Sequence, residues 1–441
     1  MNASPKMSLV GAILMNVNLM VGASAFMAPG YMTQYAGTAS FYGWLFAGAL
    51  FFPVVWCIAH ITEYFPGQGS FYSYSSNTIS RTAGFLSGWM YFLGYVSIGS
   101  LQLISLTSII TRSCSTSYLT AFPVASGIAL VIILGTLSLR SIGLIDRIQS
   151  MATLYKLTPL FIGIISLLYY FSPAKTPSIF ATSPLVLVPT IPMAIFGFWG
   201  FEGICSISNL IKDSKKNTRR AIFIGFICTI LIYALFHLSL LAIMGTEALA
   251  TQGAINFVQH LSISSPWLLK MLSVITMSAI IVAHINAIFG GIVANSAMLC
   301  TMAEDRLLFA APFFAHRLPA TGRPLGAIIA HCVGIIFCIT CVASSNVLNA
   351  MANLGILISF IFTICALIIR TQRDTISYTK KATSLIVSLL GLASCGILSY
   401  YSWQIIGADH GARITSAVPL IGALVLGYGM YIITAYKKKS H

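Results

Sequence analysis

Val21-Gly22-Ala23-Ser24-Ala25-Phe26-Met27-Ala28-Pro29-Gly30 is the stretch on which the fold turns. It lies in the middle of a long apolar run. Small residues cluster there, and a proline follows seven residues after the glycine. Proline removes a helical donor and small residues lower the cost of leaving the helix. Taken alone, the stretch also suits close helix packing through small side chains. A second stretch shifts that balance: Pro189 and Pro192, then Gly197-Phe198-Trp199-Gly200-Phe201-Glu202-Gly203, with three glycines at a spacing of three.

The chain around these stretches belongs in lipid. Of 441 residues, 57% are hydrophobic and 7% charged, against about 25% charged in a soluble domain. Mean hydropathy is +0.89. A run of about 20 apolar residues spans a bilayer. Twelve such runs are expected, at 8–35, 40–62, 83–110, 121–139, 150–171, 187–210, 221–244, 267–300, 325–344, 347–370, 382–401 and 414–436. The expected architecture is an all-α polytopic membrane protein. The first apolar run is too long for a cleavable signal peptide and continues into a Pro-Gly turn.

The net charge of +15 has a topological reading. With the N-terminus in the cytoplasm, nineteen of the 24 basic residues fall in inside loops and tails, for instance Arg140, Arg147, Lys212, Arg219, Arg370 and Lys437. Arg112, Lys175, Lys270 and Arg413 fall outside, and Lys156 falls within a span. This bias predicts a multi-pass protein of the cell (inner) membrane with both termini cytoplasmic. The charges do not form a patch interleaved with exposed aromatics, so no nucleic-acid partner is expected. Most of the ten cysteines lie in apolar runs, and Cys338 and Cys341, although spaced C-x-x-C, read as small core residues. No metal or cofactor is expected. No H-E-x-x-H occurs, and no span sets Asp, His and Glu at helical spacing, so an enzyme is not expected.

The two weak stretches fall in spans 1 and 6, five spans apart. Five is odd, so a repeat of five helices inserts upside down the second time. Interrupted helices at matching places of two halves point to a transporter's binding site. A break exposes N–H groups at the start of the second half-helix and C=O groups at the end of the first. N–H groups near Ser24, Ala25 and Phe26 suit a carboxylate. Carbonyls near Val21 and Gly22, and those before Gly197–Gly200, suit an ammonium. A site with both suits a zwitterion, which makes an amino acid the natural substrate class.

These residues resemble the amino acid–polyamine–organocation superfamily. Gly22-Ala23-Ser24-Ala25-Phe26…Pro29 is similar to its G-S-G-[IV]-F…P, with Ser24 where a glycine is expected. Pro66-Gly67-Gln68-Gly69-Ser70-Phe71-Tyr72-Ser73-Tyr74 is similar to P-x-x-G-G-x-Y-x-Y, and Arg140-Ser141-Ile142-Gly143 through Arg147-Ile148-Gln149-Ser150 to N-x-x-G…R-x-Q. Asn209 to Arg220 and Glu304 to Leu308 resemble the patterns that follow spans 6 and 8. The resemblance covers roughly 8–370. It implies a core within 1–370 of two inverted repeats (about 8–171 and 187–370), with two further helices and a basic tail in 371–441. It also implies alternating access around a site between spans 1, 3, 6, 8 and 10.

Two ionisable groups fall at membrane depth, Lys156 and Glu202, where such groups are functional hypotheses. Lys156 lies nine residues past Arg147, about 13 Å at helical rise. The resemblance implies a lysine in the place of a sodium ion, as in proton-coupled members. Glu202 resembles a glutamate of the arginine/agmatine and lysine/cadaverine exchangers, with Phe196 where those carry a gating tryptophan. Tyr91 matches their span 3 tyrosine, but Gly291 falls where their span 8 tryptophan stands, with Phe289 the nearest aromatic. His237 and His284 read as packing residues.

The sequence thus leads to a proton-coupled secondary transporter of amino acids, with Lys156 and Glu202 as the residues of proton coupling or gating. The predicted substrate contacts are Gly22, Ala23, Ser24, Ala25, Phe26, Tyr91, Phe196, Trp199, Gly200 and Phe289. A precursor/product antiporter for basic amino acids or polyamines is the alternative. Substrate, protons and the lipid bilayer are the expected partners, and the oligomeric state stays open.

Overall fold

Span 1 breaks where its smallest residues stand. In the computed structural model, its first half runs Leu9–Met20 (span 1a) and its second Ser24–Ala36 (span 1b). The two halves are bent by 53°. The structure describes residues 7–65, 71–113, 123–172, 183–206, 208, 211–342, 344–375, 377–404 and parts of 421–432. Val21 leaves the helix at φ −69°, ψ 96°. Pro29 sits inside span 1b, not at the break, so the glycine-containing turn and not the proline ends the first half.

Helices cover each of the first eleven expected spans. Span 2 is Tyr42–Ile61 and span 3 Arg81–Ser113. Span 4 is the shorter Val124–Ser138. Span 5 is Ile142–Lys156 followed by Thr158–Tyr170. Pro159, at the start of that second piece, cannot donate back along the helix, which accounts for a joint directly after Lys156. Span 6 ends its first half at Ile191–Phe198 (span 6a). Span 7 lies in Ser214–Gln252, interrupted at Gly245. Spans 8 to 11 lie in Pro266–Glu304, Leu325–Phe337, Ser345–Arg373 and Tyr378–Gln404. Among the described residues, nine helices are long and apolar enough to cross a membrane, or ten with the bent pair of span 1 counted as one. Span 12 falls largely outside the described residues. What is described of it packs on span 3, where Tyr431 stacks on Phe85 at 4.6 Å and its hydroxyl meets Thr82 Oγ1 at 3.1 Å.

Outward faces are apolar. Leu154, Leu168 and Leu185 are 76%, 91% and 79% exposed, an arrangement that water would penalise and lipid accepts. The connection between spans 2 and 3, for which the sequence predicts no helix, contains one at Phe71–Thr78. Pro66 to Ser70 of the resembling motif lie outside the described residues.

The packing that matters for the site joins spans 3 and 10. A Cβ on Gly355 would stand 2.7 Å from Met90 O and 3.0 Å from Gly94 Cα. Only glycine allows the two backbones to come this close. The contact packs the part of span 3 that carries Tyr91 and Tyr95 against span 10.

Candidate functional site

The break in span 1 leaves carbonyls at the end of span 1a without helical donors. Each finds a different answer. Asn18 O accepts from Lys156 Nζ at 3.2 Å. Met20 O accepts from the Tyr233 hydroxyl at 2.8 Å, and that hydroxyl lies 3.3 Å from Ser24 Oγ. Leu19 O faces Gly200, at which an added Cβ would sit 2.4 Å away. The two broken spans therefore meet break on break.

On the far side of the turn, Ala25 N–H donates to Gly22 O at 3.2 Å, and Phe26 N–H to Ala23 O at 2.9 Å. Of the three donors expected to face a carboxylate, two are thus spent inside the turn. Ser24 N–H has no recorded acceptor among the described residues. Gly22, Ala23, Ser24 and Ala25 remain together at the break. The Phe26 ring instead packs edge-on against Phe236 of span 7 at 5.8 Å.

Span 6a stops at Trp199, which is extended at φ −60°, ψ 137°. Gly200 follows at φ 110°, a conformation that L side chains rarely adopt. Its N–H, freed from the helix, donates to Glu202 Oε2 at 3.0 Å. Glu202 Oε1 accepts from Tyr95 at 2.6 Å and Tyr91 at 3.1 Å. The carboxyl group is fully buried and ties the span 6 turn to span 3. The Trp199 indole N–H donates to Asn353 Oδ1 at 2.8 Å, and Asn353 Nδ2 donates to Pro192 O at 3.0 Å. Phe51 and Phe360 approach the Trp199 ring edge-on at 5.6 and 5.9 Å.

Asn353→Ala is expected to lower the thermal unfolding midpoint in detergent. It would orphan a buried indole N–H, at a cost of about 1–3 kcal/mol. Asn349→Ala, one turn earlier, removes an Oδ1 that has no recorded partner and should shift the midpoint less. Equal shifts would show that the Trp199 bond does not hold the turn.

The structure brings Gly22–Ala25, Trp199, Gly200, Glu202 and Tyr91 into one region, with Lys156 on its edge. Phe196 and Phe289 are buried, but no described hydrogen bond or ring pair links them to either break. Sequence reasoning missed Tyr95, Tyr233 and Asn353. Tyr95 was signalled by its place one turn after Tyr91, and Asn353 by its pairing with Asn349 at the same spacing. Tyr233 carried no signal.

Lys156 and Glu202 form no ion pair. The two salt bridges among the described residues are Arg219–Glu63 and Arg317–Glu304, both remote from the breaks. His237 and His284 are held in hydrogen-bond networks within the bundle. His237 Nδ1 accepts from Trp44 Nε1 at 3.1 Å, and its Nε2 lies 3.0 Å from both Thr33 Oγ1 and Ser40 Oγ. His284 bridges Ile280 O and Ser105 Oγ at 2.9 and 3.1 Å.

Comparison with known proteins agrees with this architecture. The chain is 22% identical over 326 residues to the amino-acid permease RocC of Bacillus subtilis, covering 70% of this chain and 67% of that protein. It is 26% identical over 262 residues to the serine/threonine exchanger SteT of the same organism, 56% and 57% of the two chains. With the L-asparagine permease of Streptomyces coelicolor the figures are 24% over 374 residues, 79% and 73%. These relatives are transporters, not enzymes. The amino acid permease family model matches residues 7–430, and the chain, with its all-helical bundle and broken first span, belongs to that family.

Proposed function

We propose that this protein carries a neutral amino acid across the cell membrane by alternating access, with a proton as the coupling ion. The supporting observation is the meeting of the two breaks, flanked by a buried carboxyl on span 6 and a buried amine on span 5. In this reading the core of 1–370 works as two inverted repeats, about 8–171 and 187–370, and the termini face the cytoplasm. The substrate carboxylate takes the Ser24 N–H at the start of span 1b, the one of the three expected donors not spent inside the turn. Its ammonium takes carbonyls at the ends of spans 1a and 6a. The names of the relatives, which include a serine/threonine exchanger and an asparagine permease, support a substrate of this class.

Glu202 argues against a long cationic side chain as substrate. Three donors already occupy the carboxyl oxygens, out of about four lone-pair sites. Lys156 supports proton coupling by its place. It holds the last turn of span 1a through one hydrogen bond to Asn18 O, so gain or loss of its proton changes how firmly that turn is held.

Uptake of labelled amino acids into proteoliposomes under an imposed pH gradient tests this reading. An inwardly directed gradient of about one pH unit should raise steady-state accumulation about tenfold over vesicles without a gradient, the equilibrium effect of ~1.4 kcal/mol. Lys156→Ala should transport at a rate that no longer responds to the gradient. An unchanged pH profile in that variant removes the lysine from the coupling. Uptake that demands substrate preloaded on the far side would favour the antiport reading over symport.

A further inference from the structure

A cavity of about 800 Å³ lies at the end of the bundle where the basic loops gather. It is walled by the end of span 2, the start of span 7, the end of span 10 and the start of span 11. No residue of the span 1 or span 6 break lines it, so it is separate from the transport site. Four cations line it, Lys215, Arg219, Arg370 and Lys380, together with two carboxylates, Glu63 and Asp374. Arg219 is paired with Glu63 at 2.5 Å. Arg370 stands over the Tyr64 ring at 5.4 Å. Among the described residues, Lys215, Arg370 and Lys380 have no acidic partner within ion-pair distance.

Two further features select the ligand. Lys215 and Lys380 lie in the first turns of spans 7 and 11, where helix N–H groups add positive potential. The hydroxyls of Thr379 and Thr383 line the same wall, and Leu367 and Trp56 supply an apolar one. Cations and hydroxyls together with apolar side chains in one cavity suit a phosphate joined to a lipid. Basic pockets between membrane helices at this level hold anionic headgroups.

We propose that this cavity binds the phosphate of an anionic phospholipid headgroup, which bridges span 7 to spans 10 and 11. Arg370 and the two lysines meet the phosphate, and the Arg219–Glu63 pair forms the floor. With four cations against two carboxylates in the lining, the lipid phosphate meets the positive charge that Glu63 and Asp374 leave over.

The test uses the full chain in phosphatidylcholine nanodiscs doped with phosphatidylglycerol, read by native mass spectrometry for retained phosphatidylglycerol. The wild type should retain it saturably. Lys215→Gln with Lys380→Gln, both exposed positions that the fold does not depend on, should weaken retention about 25-fold, at about fivefold per removed cation. Lys212→Gln with Lys216→Gln removes the same charge from exposed positions outside the cavity and should leave retention unchanged. Equal retention by all three proteins, or equal loss in both double variants, overturns the proposal. A third arm adds glycerol 3-phosphate. Failure to displace phosphatidylglycerol supports a lipid occupant, and displacement at equal concentration overturns the lipid assignment in favour of a soluble phosphate.

Discussion

Gly200→Ala is expected to abolish uptake and to lower the thermal midpoint of the protein. The reason is the identity of the atoms its methyl group would meet. The new Cβ would stand 2.4 Å from Leu19 O and 2.8 Å from Leu19 C. These are backbone atoms at the end of span 1a, so relief requires moving one break relative to the other. Overpacking of this kind costs about 1–3 kcal/mol, and the backbone at φ 110° adds strain that alanine cannot relieve. Gly203→Ala is the matched control. Its nearest obstacle is Leu19 Cδ1 at 3.0 Å, the end of a flexible side chain that can rotate away. Uptake by Gly200→Ala should fall at least about tenfold, equivalent to ~1.4 kcal/mol at the transition state, while Gly203→Ala stays near wild type. If both transport alike, the close approach of the breaks is not needed for the cycle.

This contact also shows what the sequence could and could not reveal. The breaks themselves were legible, because small residues and prolines in mid-span weaken a helix locally. Their places were legible as well: the carbonyls expected near Val21 and Gly22 and the donors expected near Ser24 to Phe26 bracket the gap between Met20 and Ser24. What the orphaned carbonyls meet was not, because their partners come from three other spans. Such partners lie more than 130 residues away along the chain: Asn18 to Lys156, and Met20 to Tyr233. Periodicity reports which face of a helix is buried but not what it meets. For the same reason the packing of the Phe26 ring on Phe236 had no sequence signal. The helix Phe71–Thr78 was missed because its sequence, FYSYSSNT, has neither strong helix formers nor a long apolar stripe. Glu202 and Lys156 stood out in the sequence because a charge in an apolar run needs a reason. Their uncharged partners gave no comparable contrast.

Glu202→Gln should fold yet lose most of its transport activity. A carboxylate only accepts hydrogen bonds, and here it accepts from Tyr91, Tyr95 and the Gly200 N–H. Glutamine has the same shape but brings two donors of its own. If its amide nitrogen faces Gly200, donor meets donor at the span 6 turn. If it faces the tyrosines, the link to span 3 is disturbed instead. Hydrogen bonds to a charged group contribute about 1.5–3 kcal/mol each, so the expected loss of uptake is roughly ten- to hundredfold at unchanged expression. The tyrosines give an ordered series. Tyr95→Phe removes the 2.6 Å bond and Tyr91→Phe the 3.1 Å bond, so the first should cost more than the second, and neither as much as Glu202→Gln. Initial rates in proteoliposomes, compared at equal protein content, would show that order. A reversed order, or an active Glu202→Gln, would mean that the carboxyl group fills space at the break without holding it. The order predicted here has a structural reason: the two tyrosine bonds join span 6 to span 3, whereas the Gly200 bond lies within the span 6 turn, so a change of angle between the two spans requires release of the tyrosines.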